Sequence, residues 1–158
     1  MAENLAATAE PLKELSITRH IAAPPEKVFR TYFDRQEEWF APKPWSARII
    51  ASERRAGGRS SLVMTSPDGE ETPPMEGVYL EIVENERIVF TDAFTAGWAP
   101  NGPFMVAIVT FEAEGDGTRY TASARHWTQE ALKQHEEMGF VTGWGICADQ
   151  LAALCESD

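Results

Sequence analysis

The stretch Phe140-Val141-Thr142-Gly143-Trp144-Gly145-Ile146-Cys147-Ala148-Asp149-Gln150-Leu151-Ala152-Ala153-Leu154 sets Phe140, Trp144, Cys147, Leu151 and Leu154 at steps of four, three, four and three. That spacing is the period of an α-helix and gives it one continuous apolar face. Upstream, Thr128 followed by Gln129 and Glu130 supplies an N-cap and an acidic first turn, so the helix is predicted to begin at residue 129. Gly139, Gly143 and Gly145 each cost a helix about 1 kcal/mol relative to Ala. They leave open whether it runs unbroken or divides near Met138-Gly139.

A helix with one apolar face needs a surface to bury it, and the chain before it supplies strands. Turn chemistry recurs at Gly57-Gly58, Pro67-Asp68-Gly69, Asn85-Glu86, Gly97, Asn101-Gly102-Pro103 and Gly115-Asp116-Gly117. The segments between these turns predict strands over residues 46–55, 59–65, 71–83, 87–95, 103–113 and 118–127, in meander order. Leu15-Ser16-Ile17-Thr18-Arg19-His20-Ile21 alternates apolar and polar and predicts a seventh strand at the start. Ala23-Pro24-Pro25-Glu26 then opens a helix with Val28, Phe29, Tyr32 and Phe33 on its apolar side. Gln36-Glu37-Glu38-Trp39-Phe40 adds a short helical turn closed by Pro42 and Pro44. This order predicts an α+β fold: a seven-stranded curved antiparallel sheet around a long C-terminal helix, with two short helices between strands 1 and 2.

Residues 15–155 are read as one domain and residues 1–14 as a disordered leader. The leader carries Glu3 where a secretory signal has Lys or Arg, and its apolar stretch is short and Ala-rich, so a cytoplasmic location is expected. No apolar run approaches the roughly 20 residues of a spanning helix. Fourteen Lys and Arg against 25 Asp and Glu give a net charge of −11, which repels phosphate backbones and argues against nucleic acid as a partner. Cys147 and Cys155 on one helix are separated by about 12 Å along its axis, so both are expected as free thiols.

Several motifs carry a family likeness: Arg55-Ala56-Gly57-Gly58 before a strand, Ser66-Pro67-Asp68-Gly69, Gly77-Val78-Tyr79-Leu80-Glu81-Ile82, Glu86-Arg87-Ile88-Val89-Phe90-Thr91, and Gly143-Trp144 on the last helix. In this order and spacing they resemble the activator of heat-shock-protein-90 ATPase homologue-like family, over residues 15 to 155. That family lies in the lipid-transfer-like (START-like), polyketide-cyclase-like and birch-pollen-allergen-like superfamily. The resemblance implies the helix-grip fold. It leaves function among carriers, cyclases, hormone receptors and co-chaperones, because one fold hosts many activities.

The register of the last strand places Tyr120, Ala122, Ala124 and His126 toward the helix, and hairpin pairing adds Met105, Ala107, Val109 and Phe111 to that face. Three alanines opposite Phe140, Trp144 and Cys147 leave room for an apolar pocket; close helix–sheet packing without a void is the alternative. Phe29, Phe94, Trp39, Trp45 and Trp98 are candidate walls near its ends, and Met64, Met75 and Met105 are adaptable ones. The same aromatic and thioether side chains also serve as ordinary core.

His126 is the candidate for holding a ligand oxygen or acting as an acid or base, against the reading of a satisfied structural histidine. Asp92 alternates with Ile88, Phe90 and Phe94; one register sets it among apolar groups as a candidate base, the other leaves it solvated. His20, His126 and His135 form no metal-ligand spacing, and His135-Glu136-Glu137 is read as a solvated helix face. The sequence contains no Gly-rich phosphate loop, Gly-x-Ser-x-Gly elbow or dinucleotide fingerprint, so no metal or cofactor is expected.

Three functions follow. The first is binding of a small hydrophobic or amphipathic molecule between sheet and helix. The second is a cyclase, hydrolase or dehydratase using His126 or Asp92 with Tyr79 or Tyr120, which requires at least two of these to meet at one cavity. The third is protein interaction, as a homodimer or as a chaperone partner in a stress response, through sheet surface and exposed tryptophans.

Overall fold

Alternation along the strands and the helical period at the C-terminus meet in a curled sheet that closes over a helix. The computed structural model describes residues 11–157. The element order is β1 (Glu14–Ile21), α1 (Pro25–Asp34), α2 (Gln36–Trp39), β2 (Ser46–Ser52), β3 (Arg59–Thr65), β4 (Met75–Val83), β5 (Arg87–Thr91), β6 (Phe94–Thr95), β7 (Ala99–Pro100), β8 (Val106–Glu114), β9 (Gly117–Arg125), α3 (Gln129–Glu137) and α4 (Phe140–Glu156). Seven strands form one antiparallel sheet in the order β1-β9-β8-β5-β4-β3-β2. The helix-grip expectation is met. Residues 1–10 of the leader lie outside the described residues, and its last residue, Glu14, already pairs with Arg125 in the sheet.

Curvature has local causes. The β2–β3 register shifts between Ile49 and Ala51, and the β4–β5 register between Tyr79 and Glu81; such irregularities bend a strand and increase its twist. At Gly77 the chain passes so close to the end of β5 that a Cβ there would lie 2.3 Å from the Thr91 carbonyl oxygen. Gly77 is therefore a packing requirement.

The C-terminal helix divides where its glycines allowed. Gly139 adopts φ +93°, a left-handed conformation that suits glycine, and the axes of α3 and α4 diverge by 61°. Thr128 caps α3 as expected, its Oγ1 accepting from the Ala131 N–H at 3.0 Å. On α4, Phe140 and Leu151 are fully buried while Trp144, Cys147 and Leu154 are half-buried, and Ala148 and Cys155 join the core. Neither Cys147 nor Cys155 forms a disulfide.

Several strand boundaries move, and two of them bear on the site. The segment read as a strand over 87–95 ends at Thr91; a bend at Asp92-Ala93 leads into the small β6–β7 hairpin, turned through Gly97 and Trp98. The segment read over 103–113 starts at Val106, because Phe104 and Met105 give their N–H groups to the Asp92 side chain. Among the described residues no single helix is long and apolar enough to cross a membrane.

Candidate functional site

The inner face of β8 and β9 is lined by the small and aromatic residues that the alternation placed there: Ala107, Val109, Phe111, Tyr120, Ala122 and Ala124 are all buried. Above them α4 turns Phe140, Gly143, Trp144 and Cys147 toward the sheet, and α1 and α2 bring Tyr32, Gln36 and Trp39 in from the side. These walls do not meet. Between them lies a cavity of about 600 Å³, within the range that holds a drug-sized ligand. The exposed wall residues Pro74, Met75, Asn101 and Met138 mark its mouth.

Of the residues proposed from sequence, Trp39, Met64, Met75, Asp92, Met105, Tyr120, Ala122, Phe140, Trp144 and Cys147 line this space. Ala107 and Ala124 lie on the same sheet face, fully buried behind it. Phe29 is packed edge-on against Phe33 and Phe111 in the core beneath α1. Trp45 and Trp98, read as walls at the mouth, are instead exposed. Trp98 sits on the β6–β7 turn over Gly57, with Phe94 at its edge, so neither Trp98 nor Phe94 reaches the cavity. The departure of the chain from the main sheet at Asp92 carries both away.

His126 does not line the cavity either. It is buried one layer back, with Nδ1 2.8 Å from the Phe104 carbonyl oxygen and Nε2 3.0 Å from Nδ1 of His135. His135, expected on a solvated face, is the imidazole that forms part of the wall. The bend at Gly139 rolls α3 so that Leu132 and His135, three residues apart, both face inward. That i,i+3 pairing was the available signal, and the flanking Glu136 and Glu137 concealed it.

Asp92 stands at the rim. Its Oδ1 accepts from the backbone N–H groups of Phe104 at 2.8 Å and Met105 at 3.1 Å, so the carboxylate closes a loop. Tyr79 and Tyr120 line the cavity as well, so the convergence that acid–base chemistry demands is met in position. The state of these groups is less suited to it. The Tyr79 hydroxyl is hydrogen-bonded to Ser52 Oγ at 2.8 Å. Burial pushes the Tyr120 phenol well up, with smaller contributions from Cys147 and Cys155. Burial also raises the Cys147 thiol to about 12, and its Sγ donates to the Phe40 carbonyl at 3.2 Å. A thiol held protonated is a weak nucleophile.

Three polar groups were missed. Tyr32 and Gln36 are buried wall residues whose side-chain polar groups make no hydrogen bond among the described residues. Among the described residues no fully sealed side-chain nitrogen or oxygen lacks a hydrogen bond; Tyr32 borders the cavity, while Gln36 borders both it and a second hollow beside α2. The sequence reading set Tyr32 on the apolar side of a helix and gave Gln36 no role beyond opening a short helical turn. Glu76, the third, is clamped at the rim by Arg59, at 2.9 and 3.1 Å, and by the Ser61 hydroxyl; the Arg59 contact leads in holding its carboxyl below the usual range. No cluster of three or more metal-ligating side chains occurs among the described residues.

Comparison with known proteins agrees with this architecture. A protein from Nitrosomonas europaea, solved by crystallography, is 37% identical, with 89% of this chain and 92% of that one aligned at a TM-score of 0.82. A Mycobacterium smegmatis protein is 26% identical over 94% of this chain and 98% of its own, with a TM-score of 0.77. A Chromobacterium violaceum protein is 25% identical over 92% and 99%, with a TM-score of 0.75. No curated protein matches the sequence. The family described as Activator of Hsp90 ATPase homolog 1-like protein matches residues 22–156. The chain belongs to that family.

Proposed function

We propose that this protein binds a small hydrophobic or amphipathic molecule in the cavity between the sheet and α4, without covalent chemistry. The observation that carries the reading is the cavity itself, about 600 Å³ with mostly apolar walls that include the polar side chains of Tyr32, Gln36 and His135. A core built only for packing would fill such a volume, since interiors are packed to nearly crystalline density. A few polar groups inside apolar walls are the usual means of orienting a ligand. The engaged state of Asp92, Tyr79 and Cys147 favours binding over catalysis.

Gly143 offers a direct test. It lines the cavity on α4, and a Cβ built there meets nothing within 4 Å. Gly143→Leu is expected to stabilise the protein by up to about 1 kcal/mol through helix propensity and to fill the cavity. Native mass spectrometry with denaturing extraction, and titration with the neutral probe N-phenyl-1-naphthylamine, read the second effect. The wild type is expected to carry or take up a ligand, and the variant to bind at least ~10-fold more weakly, about 1.4 kcal/mol. Equal binding by both proteins, or none by the wild type, would remove the cavity as the site.

A further inference from the structure

The buried histidine pair determines what one wall of the cavity offers to a ligand. A carbonyl oxygen only accepts, so Nδ1 of His126, 2.8 Å from the Phe104 oxygen, carries a proton. Among the described residues no carboxylate pairs with His126 or His135, in contrast to His20, which meets Glu114 at 2.7 Å. For a pair with no net charge, these contacts leave the remaining protons one arrangement. His126 Nε2 accepts, His135 Nδ1 donates to it across 3.0 Å, and His135 Nε2 is left with a bare lone pair. A backbone carbonyl, which cannot tautomerise, thus sets the polarity of a side chain two hydrogen bonds away.

That nitrogen has no protein partner, and no sealed side-chain nitrogen among the described residues lacks one, so it opens on the cavity that His135 lines. The rings of Phe104, Phe140 and Trp144 stand around the imidazole at centroid distances of 4.8, 5.1 and 5.8 Å and hold its orientation. Burial, with a smaller contribution from His126, pulls the pKa of His135 down to about 4, so the ring remains an acceptor at neutral pH.

Charge on the walls acts in the same direction. Glu76 and Asp92 line the cavity, and among the described residues no Lys or Arg does. An anionic head group entering this space would lose its hydration with no countercharge to replace it.

We propose that the cavity selects a neutral molecule whose hydroxyl or N–H group donates a hydrogen bond to His135 Nε2, with its apolar body between α4 and the inner face of the sheet. This rests on the cavity reading above and adds to it the chemical class of the ligand. His135 determines specificity, and His126 positions it.

The test compares 2-naphthol, 2-methoxynaphthalene and 2-naphthoate by calorimetric titration at neutral pH, against the wild type and His135→Phe. Naphthol is expected to bind the wild type at least ~10-fold more tightly than its methyl ether, with naphthoate weaker still. In His135→Phe the naphthol preference should collapse while the methyl ether binds as before. Equal affinities for naphthol and its ether, or tightest binding by naphthoate, overturn the donor proposal and leave the cavity reading standing. Failure of all three to bind overturns both. Imidazole 15N spectra of the unsubstituted protein provide a measurement independent of the variant's folding. They are expected to show His135 Nε2 unprotonated and responsive to naphthol alone; a protonated Nε2 overturns the proposal.

Discussion

Gln150→Ala is expected to destabilise the protein by about 3 kcal/mol, because one side chain makes three hydrogen bonds of roughly 1 kcal/mol each to backbone. Its Nε2 donates to the carbonyl oxygens of Trp39 and Ala41, both at 2.9 Å, and its Oε1 accepts from the Lys43 N–H at 2.9 Å. The segment between α2 and β2 contains Pro42 and Pro44, which cannot donate, so its backbone depends on a partner from outside. Gln150 sits on α4 and ties that segment, with the cavity wall Trp39, to the central helix. Gln150→Glu separates hydrogen bonding from packing: it keeps the shape and the Lys43 bond but sets a carboxylate against two carbonyl oxygens. At pH 7 it should cost at least as much as the alanine. Urea unfolding measures both variants; midpoints that imply less than ~0.5 kcal/mol for each would show that the clamp is dispensable.

The second large effect is a loss of stability in mild acid. His135 has its pKa lowered from 6.5 to about 4, first by burial and then by His126. A folded-state pKa below the unfolded value means that the unfolded chain binds the proton more readily. The stabilisation is therefore fully present above pH 6.5, is lost progressively as pH falls toward 4, and changes no further below that. At 1.36 kcal/mol per pKa unit the whole loss is on the order of 3 kcal/mol, with roughly 2 kcal/mol gone by pH 5. Glu38, Glu76, Glu81 and Glu114, whose carboxyls are held low chiefly by hydrogen bonds from basic partners, lose their contributions only at still lower pH. Urea titrations at pH 7.5 and pH 5 should differ accordingly, and His135→Phe should flatten the difference. A wild type equally stable at the two pH values would contradict the assigned burial of this ring.

The last helix illustrates what can be seen in a linear chain. The steps Phe140, Trp144, Cys147, Leu151 and Leu154 are a local property, because helical neighbours are three and four residues apart, and they correctly implied a helix gripped by a sheet. Alternation in β9 was legible for the same reason, and it placed Tyr120, Ala122 and Ala124 on the buried face. Turn residues separated the strands, and antiparallel meander order then left little choice of topology.

The site was legible in part. Trp98 and Phe94 were misplaced because β5 ends at Thr91 and a two-strand hairpin leaves the main sheet, an outcome governed by the Asp92 contacts with Phe104 and Met105, twelve and thirteen residues away. His135 was misplaced because its direction depends on the 61° bend at Gly139, and Tyr32 and Gln36 were not singled out as wall residues because a cavity exists only where several elements fail to meet. From the sequence alone came the element types and the buried faces, set by neighbours in covalent order, and the acidic net charge, set by composition. The tertiary structure decided that the inner faces enclose about 600 Å³ instead of closing, and that a histidine pair nine residues apart in sequence has its open nitrogen on that space. Both depend on distances between elements, and residue periodicity carries no information about those distances.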